Sequence, residues 1–211
     1  MNTSAPSTDF GFIHCFVPAA RPGAPAVLLL HGTGGNEDDL IPLAQAIAPG
    51  SALLSPRGKV LEMGMPRYFR RLAEGVFDIE DLTARTDELA AFVRQAQAGY
   101  GVGKLVAIGF SNGANIAWSL LFRHPDLLAG ALLMRPVLPF DPPALPDLAG
   151  IPVLVLSGSD DPMVSPAQRD RLARVLTTAG ADVTAEMIRA GHGLTPQDVA
   201  RATAWMARLQ G

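Results

Sequence analysis

Cysteine and basic charge are both scarce in this sequence, and each shortage excludes a class of protein. Cys15 is the single cysteine among 211 residues, which excludes an internal disulfide and a C-x-x-C redox or zinc motif. Lysine and arginine number 17 against 20 aspartates and glutamates, giving a net charge of −3. There is no basic excess for binding nucleic acid or an anionic membrane, so we expect neither as a partner.

Long apolar runs are also missing. None approaches the roughly 20 residues that a membrane-spanning helix needs, and the first nine residues lack the cationic and apolar parts of a signal peptide. We therefore expect a cytoplasmic protein without a membrane span. Hydrophobic residues still make up 48% of the chain, enough for a packed core. We expect one domain over residues 1–211, with residues 1–9 as a flexible tail.

Short apolar runs alternate with helical patterns along the chain. The runs typical of buried strands lie at 26–30, 51–54, 105–108, 130–134, 151–156 and 182–188, with an edge strand at 10–17. The helical patterns lie at 36–48, 80–98, 114–123, 165–178 and 196–209, the first with Asn36 as its N-cap. This alternation predicts an α/β fold with a mainly parallel sheet and helices on both faces.

The pentapeptide GFSNG at 109–113 stands between an apolar strand and a helical pattern. Alone, it fits an ordinary turn as well as a nucleophile elbow, in which a serine stands at the tip of a tight turn. Gly109 and Gly113 would give that turn the room it needs, because they carry no Cβ. Ser111 is then the candidate nucleophile, beside the positive end of the following helix.

A serine nucleophile needs a base and an acid that orients the base, and in this topology the acid comes before the histidine. His192 is the only one of the four histidines that follows both Ser111 and an acid at a strand end. The acid should follow the last strand but one, where Asp160 and Asp161 lie. We favour Asp161, because Pro162 keeps its backbone extended, and Asp160 is the alternative.

The oxyanion of an acyl-transfer intermediate needs two backbone N–H donors. One is expected from Asn112, directly after the candidate nucleophile. The other is expected from the glycine-rich loop that follows the strand at 26–30, where we choose Thr33. In this interpretation His31 supports the loop, while His14 and His124 are structural or exposed.

Four segments stand in a fairly specific order and spacing: HGTGGN at 31–36, GFSNG at 109–113, GSDDPMV at 158–164 and GHGLT at 191–195. Together they resemble the α/β-hydrolase superfamily and, within it, the phospholipase/carboxylesterase family, which also contains the acyl-protein thioesterases. The resemblance covers nearly the whole chain. It implies the α/β-hydrolase fold, a triad of Ser111, Asp161 and His192, and oxyanion donors at Thr33 and Asn112. Eukaryotic thioesterases usually have glutamine after the nucleophile, and segment 57–79 is more similar to that of bacterial esterases.

Two connections, 57–79 and 136–150, are long enough to shape a pocket, but the first is too short to form a large cap domain. We expect Phe69, Met163 and Leu194 to line a shallow apolar site. Such a site favours short to medium acyl chains, because a longer chain extends into water and gains no further burial.

The sequence therefore predicts a carboxylesterase that acts on a small-molecule ester through a serine acyl-enzyme, with no metal and no organic cofactor implied. A thioesterase or lysophospholipase with the same three residues is the alternative enzyme. A non-catalytic ligand receptor on the hydrolase scaffold is the alternative from another class. A homodimer is one option for the oligomeric state.

Overall fold

A seven-stranded sheet forms the centre of the computed structural model, which describes residues 10–73, 75–142 and 144–209. The predicted tail at 1–9 lies outside the described residues. In chain order the strands are β1 (His14–Val17), β2 (Ala26–Leu30), β3 (Leu53–Pro56), β4 (Val60–Glu62), β5 (Met65–Arg67), β6 (Arg71–Ala73), β7 (Val76–Phe77), β8 (Leu105–Phe110), β9 (Leu128–Met134), β10 (Pro152–Gly158) and β11 (Asp182–Ile188). The helices are α1 (Ile41–Ile47), α2 (Ile79–Tyr100), α3 (Asn112–Arg123), α4 (Pro166–Thr178) and α5 (Pro196–Arg208), with a short 3-10 turn at Pro125–Leu127.

The strands of the central sheet lie in the order β1-β3-β2-β8-β9-β10-β11. Neighbouring strands run parallel, except that β1 pairs antiparallel with β3 at one edge. The predicted mainly parallel sheet is therefore confirmed, and the edge strand lies within the expected residues 10–17.

Helices cover both faces of the sheet because its strands are apolar on both sides. Val27 and Leu29 of β2 belong to one hydrophobic cluster with residues of α1 and α5. The alternate residues Leu28 and Leu30 belong to another, with residues of α2, α3 and α4. Successive side chains of a strand point to opposite faces, so a continuous apolar run needs cover on both.

The strand order reverses at β2, which has β3 on one side and β8 on the other. In open α/β sheets, ligands bind outside the carboxyl ends of the strands at such a switch point. The segments that leave β2 and β8 are HGTGGN and GFSNG. The segments GSDDPMV and GHGLT follow β10 and β11, so all four emerge at the same edge of the sheet.

Helix α1 begins later than its sequence pattern predicts. Its N-cap is Leu40 rather than Asn36, and the Asn36 side chain instead accepts a hydrogen bond from the Asp38 N–H (2.8 Å). Pro42 explains the difference, because a proline has no N–H and fits only the first turn of a helix. A helix that started at Asn36 would place Pro42 in its interior, and residues 37–40 form turns instead.

Segment 57–79 folds, in its described part, as two small hairpins formed by β4 with β5 and by β6 with β7. Tyr68, between the hairpins, is buried and donates a hydrogen bond to the Pro56 carbonyl (2.7 Å). The described residues therefore contain no large cap domain over the switch point. In the same residues, no helix combines the length and the apolar character that crossing a membrane requires.

Candidate active site

Ser111 stands in a strained turn between β8 and α3. Its φ is +52° and its ψ −116°, a conformation that costs a non-glycine residue about 1–3 kcal/mol. Its backbone N–H donates to the Met134 carbonyl (2.9 Å), which joins the turn to the end of β9. A Cβ on Gly113 would lie 1.9 Å from the Leu30 carbonyl oxygen, and one on Gly109 would lie 2.5 Å from the Gly113 oxygen. Both glycines are therefore required by close backbone approach.

Three side chains form a hydrogen-bonded chain at the carboxyl edge of the sheet. Ser111 Oγ lies 2.9 Å from His192 Nε2, and His192 Nδ1 lies 2.9 Å from Asp161 Oδ2. An ionised Asp161 can only accept, so Nδ1 carries the proton of the neutral ring and Nε2 presents its lone pair to the serine hydroxyl. This arrangement can remove the Ser111 proton and hold the resulting imidazolium beside a carboxylate.

The two aspartates that follow β10 have different surroundings. Asp161 is 6% exposed, and its Oδ1 accepts from the Met163 N–H (2.9 Å), which orients the carboxylate. Asp160 is exposed, with its carboxylate 3.1 Å from the Ser159 hydroxyl. The structure therefore brings Asp161, the residue favoured from the sequence, to His192 and leaves Asp160 at the surface.

Arg135, which was not singled out from the sequence, holds the loop that carries His192. Its Nε donates to the Gly191 carbonyl and its Nη2 to the Gly193 carbonyl, both at 3.0 Å. The same guanidinium makes two hydrogen bonds to Asp198 of α5, at 2.7 and 2.9 Å, and neither side chain is more than 1% exposed. One side chain thus fixes the carbonyls on both sides of His192. A single arginine at the end of an apolar strand was the available sequence signal.

Asp198 also connects the start of α5 to this loop. Its carboxylate accepts from the N–H and from the hydroxyl of Thr195, each at 2.8 Å. Burial raises the pKa of Asp198, but the hydrogen bonds from Arg135 and Thr195 outweigh burial and keep this pKa below its usual value. The carboxylate is therefore charged at neutral pH, as its pairing with Arg135 requires.

The loop after β2 is held by the β4–β5 hairpin. Nη1 of Arg67 donates to Oγ1 of Thr33 (2.8 Å), and the Gly34 N–H donates to a carbonyl of β5 (2.9 Å). Asn112 is the first residue of α3, so its N–H has no acceptor inside the helix. Thr33 and Asn112 line the same cleft as Ser111. The structure therefore places both predicted oxyanion residues beside the serine.

Two further contacts fix this loop and the turn at Ser111. Asn112 Oδ1 accepts from the Tyr68 N–H (2.8 Å), which joins the start of α3 to segment 57–79. His31 Nδ1 lies 2.7 Å from the Gly32 carbonyl, and His31 Nε2 accepts from the Gly58 N–H (2.9 Å). Burial lowers the pKa of His31, and a neutral ring suits both of these bonds. His31 therefore supports the loop, as expected.

The other two histidines lie away from this site. His14 is buried, 2.8 Å from both the Phe12 carbonyl and the Tyr100 hydroxyl. His124 lies 2.8 Å from the Asp87 carboxylate. Neither lines the cleft beside the elbow, which agrees with their interpretation as structural or surface residues.

Ser111 and His192 open into a cleft of about 290 Å³, at the lower end of the range for small-molecule sites. Its other lining residues are Thr33, Arg67, Arg71, Gly75, Phe77, Asn112, Asn115, Val137, Pro162 and Met163. A larger depression of about 590 Å³ along α4 has neither a histidine nor a carboxylate among its lining residues. Across the described parts of the chain, no three His, Cys, Asp or Glu side chains are grouped to hold a metal.

Of the three side chains expected to line the pocket, the structure places only Met163 in the cleft. Phe69 is fully buried in the core, with its ring edge-on to that of Phe77 (5.4 Å between centres). Leu194 packs against the cluster that includes α1 and α5. The expected positions of Phe69 and Leu194 are therefore corrected. A large apolar side chain in a segment that folds back onto the core gains more from full burial than from lining an open cleft.

Arg67 and Arg71 of segment 57–79, which were not expected at the site, give the cleft a positive wall. They share one carboxylate: Glu62 lies 3.1 Å from Arg67 Nη1 and 2.8 Å from Arg71 Nε. The hydrogen bond from Arg71 lowers the pKa of Glu62, against the opposing effect of burial, so the carboxylate is charged at neutral pH. Burial lowers the pKa of Arg67, but a guanidinium remains protonated at neutral pH.

The sequence of the chain matches a known family over most of its length. A model of the phospholipase/carboxylesterase family matches residues 14–209. The protein MhqD of Bacillus subtilis (strain 168) is 46% identical over 181 residues, which cover 85% of this chain and 90% of that protein.

Solved structures agree with this match. The carboxylesterase of Bacillus cereus has 45% sequence identity and a TM-score of 0.93, with 95% of this chain and 96% of that chain covered. The carboxylesterase of Mesorhizobium loti has 33% identity and a TM-score of 0.91, with 98% and 99% covered. The predicted α/β-hydrolase fold is confirmed, and the chain belongs to the phospholipase/carboxylesterase family.

Proposed function

We propose that this protein is a carboxylesterase that cleaves short to medium acyl esters through an acyl-enzyme on Ser111. The observation that carries the proposal is the pair of 2.9 Å contacts that connects Ser111 Oγ through His192 to Asp161. This chain of side chains opens into a cleft, so an ester carbonyl can reach the serine oxygen. Membership of the phospholipase/carboxylesterase family adds independent support.

In the acylation step, Ser111 Oγ attacks the ester carbonyl while His192 Nε2 takes its proton. Asp161 keeps the other ring nitrogen protonated and stabilises the imidazolium that forms. His192 then returns the proton to the departing alcohol oxygen, the bond from the carbonyl carbon to that oxygen breaks, and an acyl ester remains on Ser111. Water enters with His192 as base, and the same steps release the carboxylic acid.

The negative charge of each tetrahedral intermediate requires donors that already point at it. We assign this role to the backbone N–H groups of Thr33 and Asn112. Arg67 supports the first by holding the Thr33 hydroxyl, and the start of α3 supports the second with its dipole.

The acyl preference is inferred from the size and lining of the cleft. About 290 Å³ accommodates a small acyl group, and the apolar contribution comes from a few side chains such as Phe77, Val137 and Met163. Each further methylene gains about 0.8 kcal/mol only while it is buried. A palmitoyl chain would extend beyond the cleft into water and gain little over an octanoyl chain.

The deciding experiment combines covalent labelling with kinetics. A fluorophosphonate should add its mass to the wild type and not to Ser111→Ala, and that variant should lose about 10⁴–10⁶-fold in ester hydrolysis while remaining folded. The control is the circular dichroism spectrum of both proteins. Retention of more than a tenth of the wild-type rate by the variant would reject Ser111 as the nucleophile. A wild type that is neither labelled nor active would favour the non-catalytic receptor.

Substrate length is measured in the same assay. Specificity constants for acetyl, butyryl, octanoyl and palmitoyl p-nitrophenyl esters, below their micellar concentrations, should be highest for the shorter chains. A palmitoyl ester that reacts faster than the butyryl ester would instead favour the thioesterase or lysophospholipase alternative. The cytoplasmic location and the oligomeric state remain predictions for fractionation and sedimentation measurements.

A further inference from the structure

Only one arginine of the positive wall has a task in the proposed mechanism, in which Arg67 holds the Thr33 hydroxyl. Hydrolysis of a neutral ester uses a nucleophile, a base, an acid and oxyanion donors, and none of these is Arg71. Yet Arg67 and Arg71 both line the cleft that contains Ser111. In the described parts of the chain, the one carboxylate paired with either arginine is Glu62. The two positive charges of the wall therefore share one negative charge, that of Glu62.

We propose that Arg67 and Arg71 form a carboxylate-binding subsite, so that the preferred substrates are small esters with a carboxylate on their acyl or alcohol part. This inference rests on the proposed esterase function and adds a substrate class to it. A guanidinium binds a carboxylate through paired, charge-assisted N–H···O bonds. The binding of such a group would also orient the ester carbonyl toward Ser111.

The donor groups at this wall support the subsite. A guanidinium has five N–H groups. Arg67 uses its Nε on the Phe69 carbonyl (3.2 Å) and its Nη1 on Thr33 and Glu62. Arg71 uses its Nε on Glu62 (2.8 Å), its terminal nitrogens make no hydrogen bond to a described residue, and its side chain is 26% exposed. Arg71 borders the cleft, and we take its terminal nitrogens as the donors that a ligand oxygen would meet there.

The position and size of the subsite limit the ligand. Arg67 contacts Thr33 of the oxyanion loop, so the positive wall lies next to the place where the ester carbonyl reacts. The cleft volume of about 290 Å³ leaves room for only a few atoms between that carbonyl and the carboxylate. Monoesters of short dicarboxylic acids and acyl esters of small phenolic acids have this shape.

The competing interpretation is that the arginines only hold the two hairpins together. Arg70 is a matched control, because it lies in the same segment, carries the same charge and does not line the cleft. Its side chain is 61% exposed and pairs with Asp78 (2.9 Å) and Asp81 (3.7 Å). A purely structural role of Arg71 would change the hydrolysis of neutral and anionic esters equally, whereas a binding role changes their ratio.

The experiment compares matched anionic and neutral esters in wild type, Arg71→Gln and Arg70→Gln. The acyl arm compares monoethyl glutarate with diethyl glutarate. The alcohol arm compares 4-acetoxybenzoate with its methyl ester, and its rate is measured from the phenol that is released. We expect the wild type to favour the anionic ester about tenfold in kcat/KM in at least one arm. The arm that shows this preference tells whether the subsite binds a carboxylate of the acyl part or of the alcohol part. Arg71→Gln should remove this preference, and Arg70→Gln should keep it.

The outcomes separate the two proposals. If the wild type hydrolyses neither ester and S111A behaves identically, the proposed function fails. If neutral esters are hydrolysed but no anionic preference exists, or Arg70→Gln and Arg71→Gln lower it equally, the carboxylate subsite alone is overturned.

A measurement on the wild type keeps the test decisive if Arg71→Gln does not fold. Glutarate should inhibit butyryl ester hydrolysis competitively, while dimethyl glutarate at the same concentration should not. The inhibition should weaken as the salt concentration rises from about 0.01 M to about 0.5 M, because salt screens a partly exposed charge. Equal inhibition by both compounds, or inhibition that salt does not change, contradicts the subsite.

Discussion

One arginine–carboxylate cluster holds the loop of His192 and another borders the cleft at Ser111, and the two differ in charge balance and in burial. Arg135 has one carboxylate of its own, Asp198, and its five N–H groups have acceptors: two carboxylate oxygens and three backbone carbonyls. Arg67 and Arg71 share Glu62, whose side chain is 26% exposed. The first cluster is closed and neutral, and the second is open and positive.

The difference indicates what each cluster can do. A buried ion pair whose donors are all satisfied holds one geometry, and breaking it leaves an uncompensated charge. Such a cluster suits the loop of His192, whose ring must stay in line between Asp161 and Ser111. An arginine with donors left over in a cleft suits a ligand instead, because it gains partners only when one binds.

The largest contrast is expected in the catalytic rate, between variants of Asp161, which contacts His192, and of the neighbouring Asp160. Asp161→Asn should lower kcat by about 10⁴-fold, because the amide no longer holds the imidazole in the working tautomer. Asp160→Asn, which changes the adjacent and exposed carboxylate in the same way, should have a small effect. Kinetics of the paired variants on one neutral ester provide the measurement. A reversed pattern would transfer the role to Asp160.

The next contrast is expected in stability. Asp198→Asn should lower the free energy of unfolding by about 3–5 kcal/mol, because it leaves Arg135 buried without its counter-charge. Glu62→Gln makes the matching change in the open cluster and should cost less, because the Glu62 and Arg71 side chains are each 26% exposed, although the Arg67 side chain is only 4% exposed. Urea unfolding at neutral pH measures both. Equal losses would mean that the two clusters do not differ as described.

The smallest contrast is expected in acid sensitivity. The folded state keeps the pKa of Asp198 below its usual value, so the stabilisation it provides is present above the unfolded pKa, about 3.9, and is lost as the pH falls through the lower folded pKa. The wild type should therefore lose more stability than Asp198→Asn between about pH 5 and pH 3. Urea midpoints at several pH values test this, and parallel slopes would contradict it.

Much of the fold and the proposed chemistry follows from local sequence. Continuous apolar runs such as 26–30 and 105–108 require cover on both faces, which predicts a parallel sheet between layers of helices. The elbow at Ser111 could be predicted because G-x-S-x-G stands between an apolar strand and a helical pattern. The structure adds that a Cβ on Gly109 or Gly113 would collide with backbone. The meeting of Asp161 and His192 with the serine could be predicted because parallel strands bring the ends of distant segments to one edge of the sheet.

The tertiary structure alone decided which side chains of segment 57–79 reach the cleft. Segment 57–79 contains apolar and basic residues without a period, so its sequence does not distinguish the buried Phe69 from the arginines that line the site. The hairpins fold back so that Phe69 is buried, while Arg67 and Arg71 meet Glu62. Arg135 and Asp198 are 63 residues apart along the chain, and no local pattern pairs them. Sequence determined the elements and the order of the reacting groups, whereas the charge around them depends on long-range packing, because a guanidinium reaches whichever carboxylate the fold brings near.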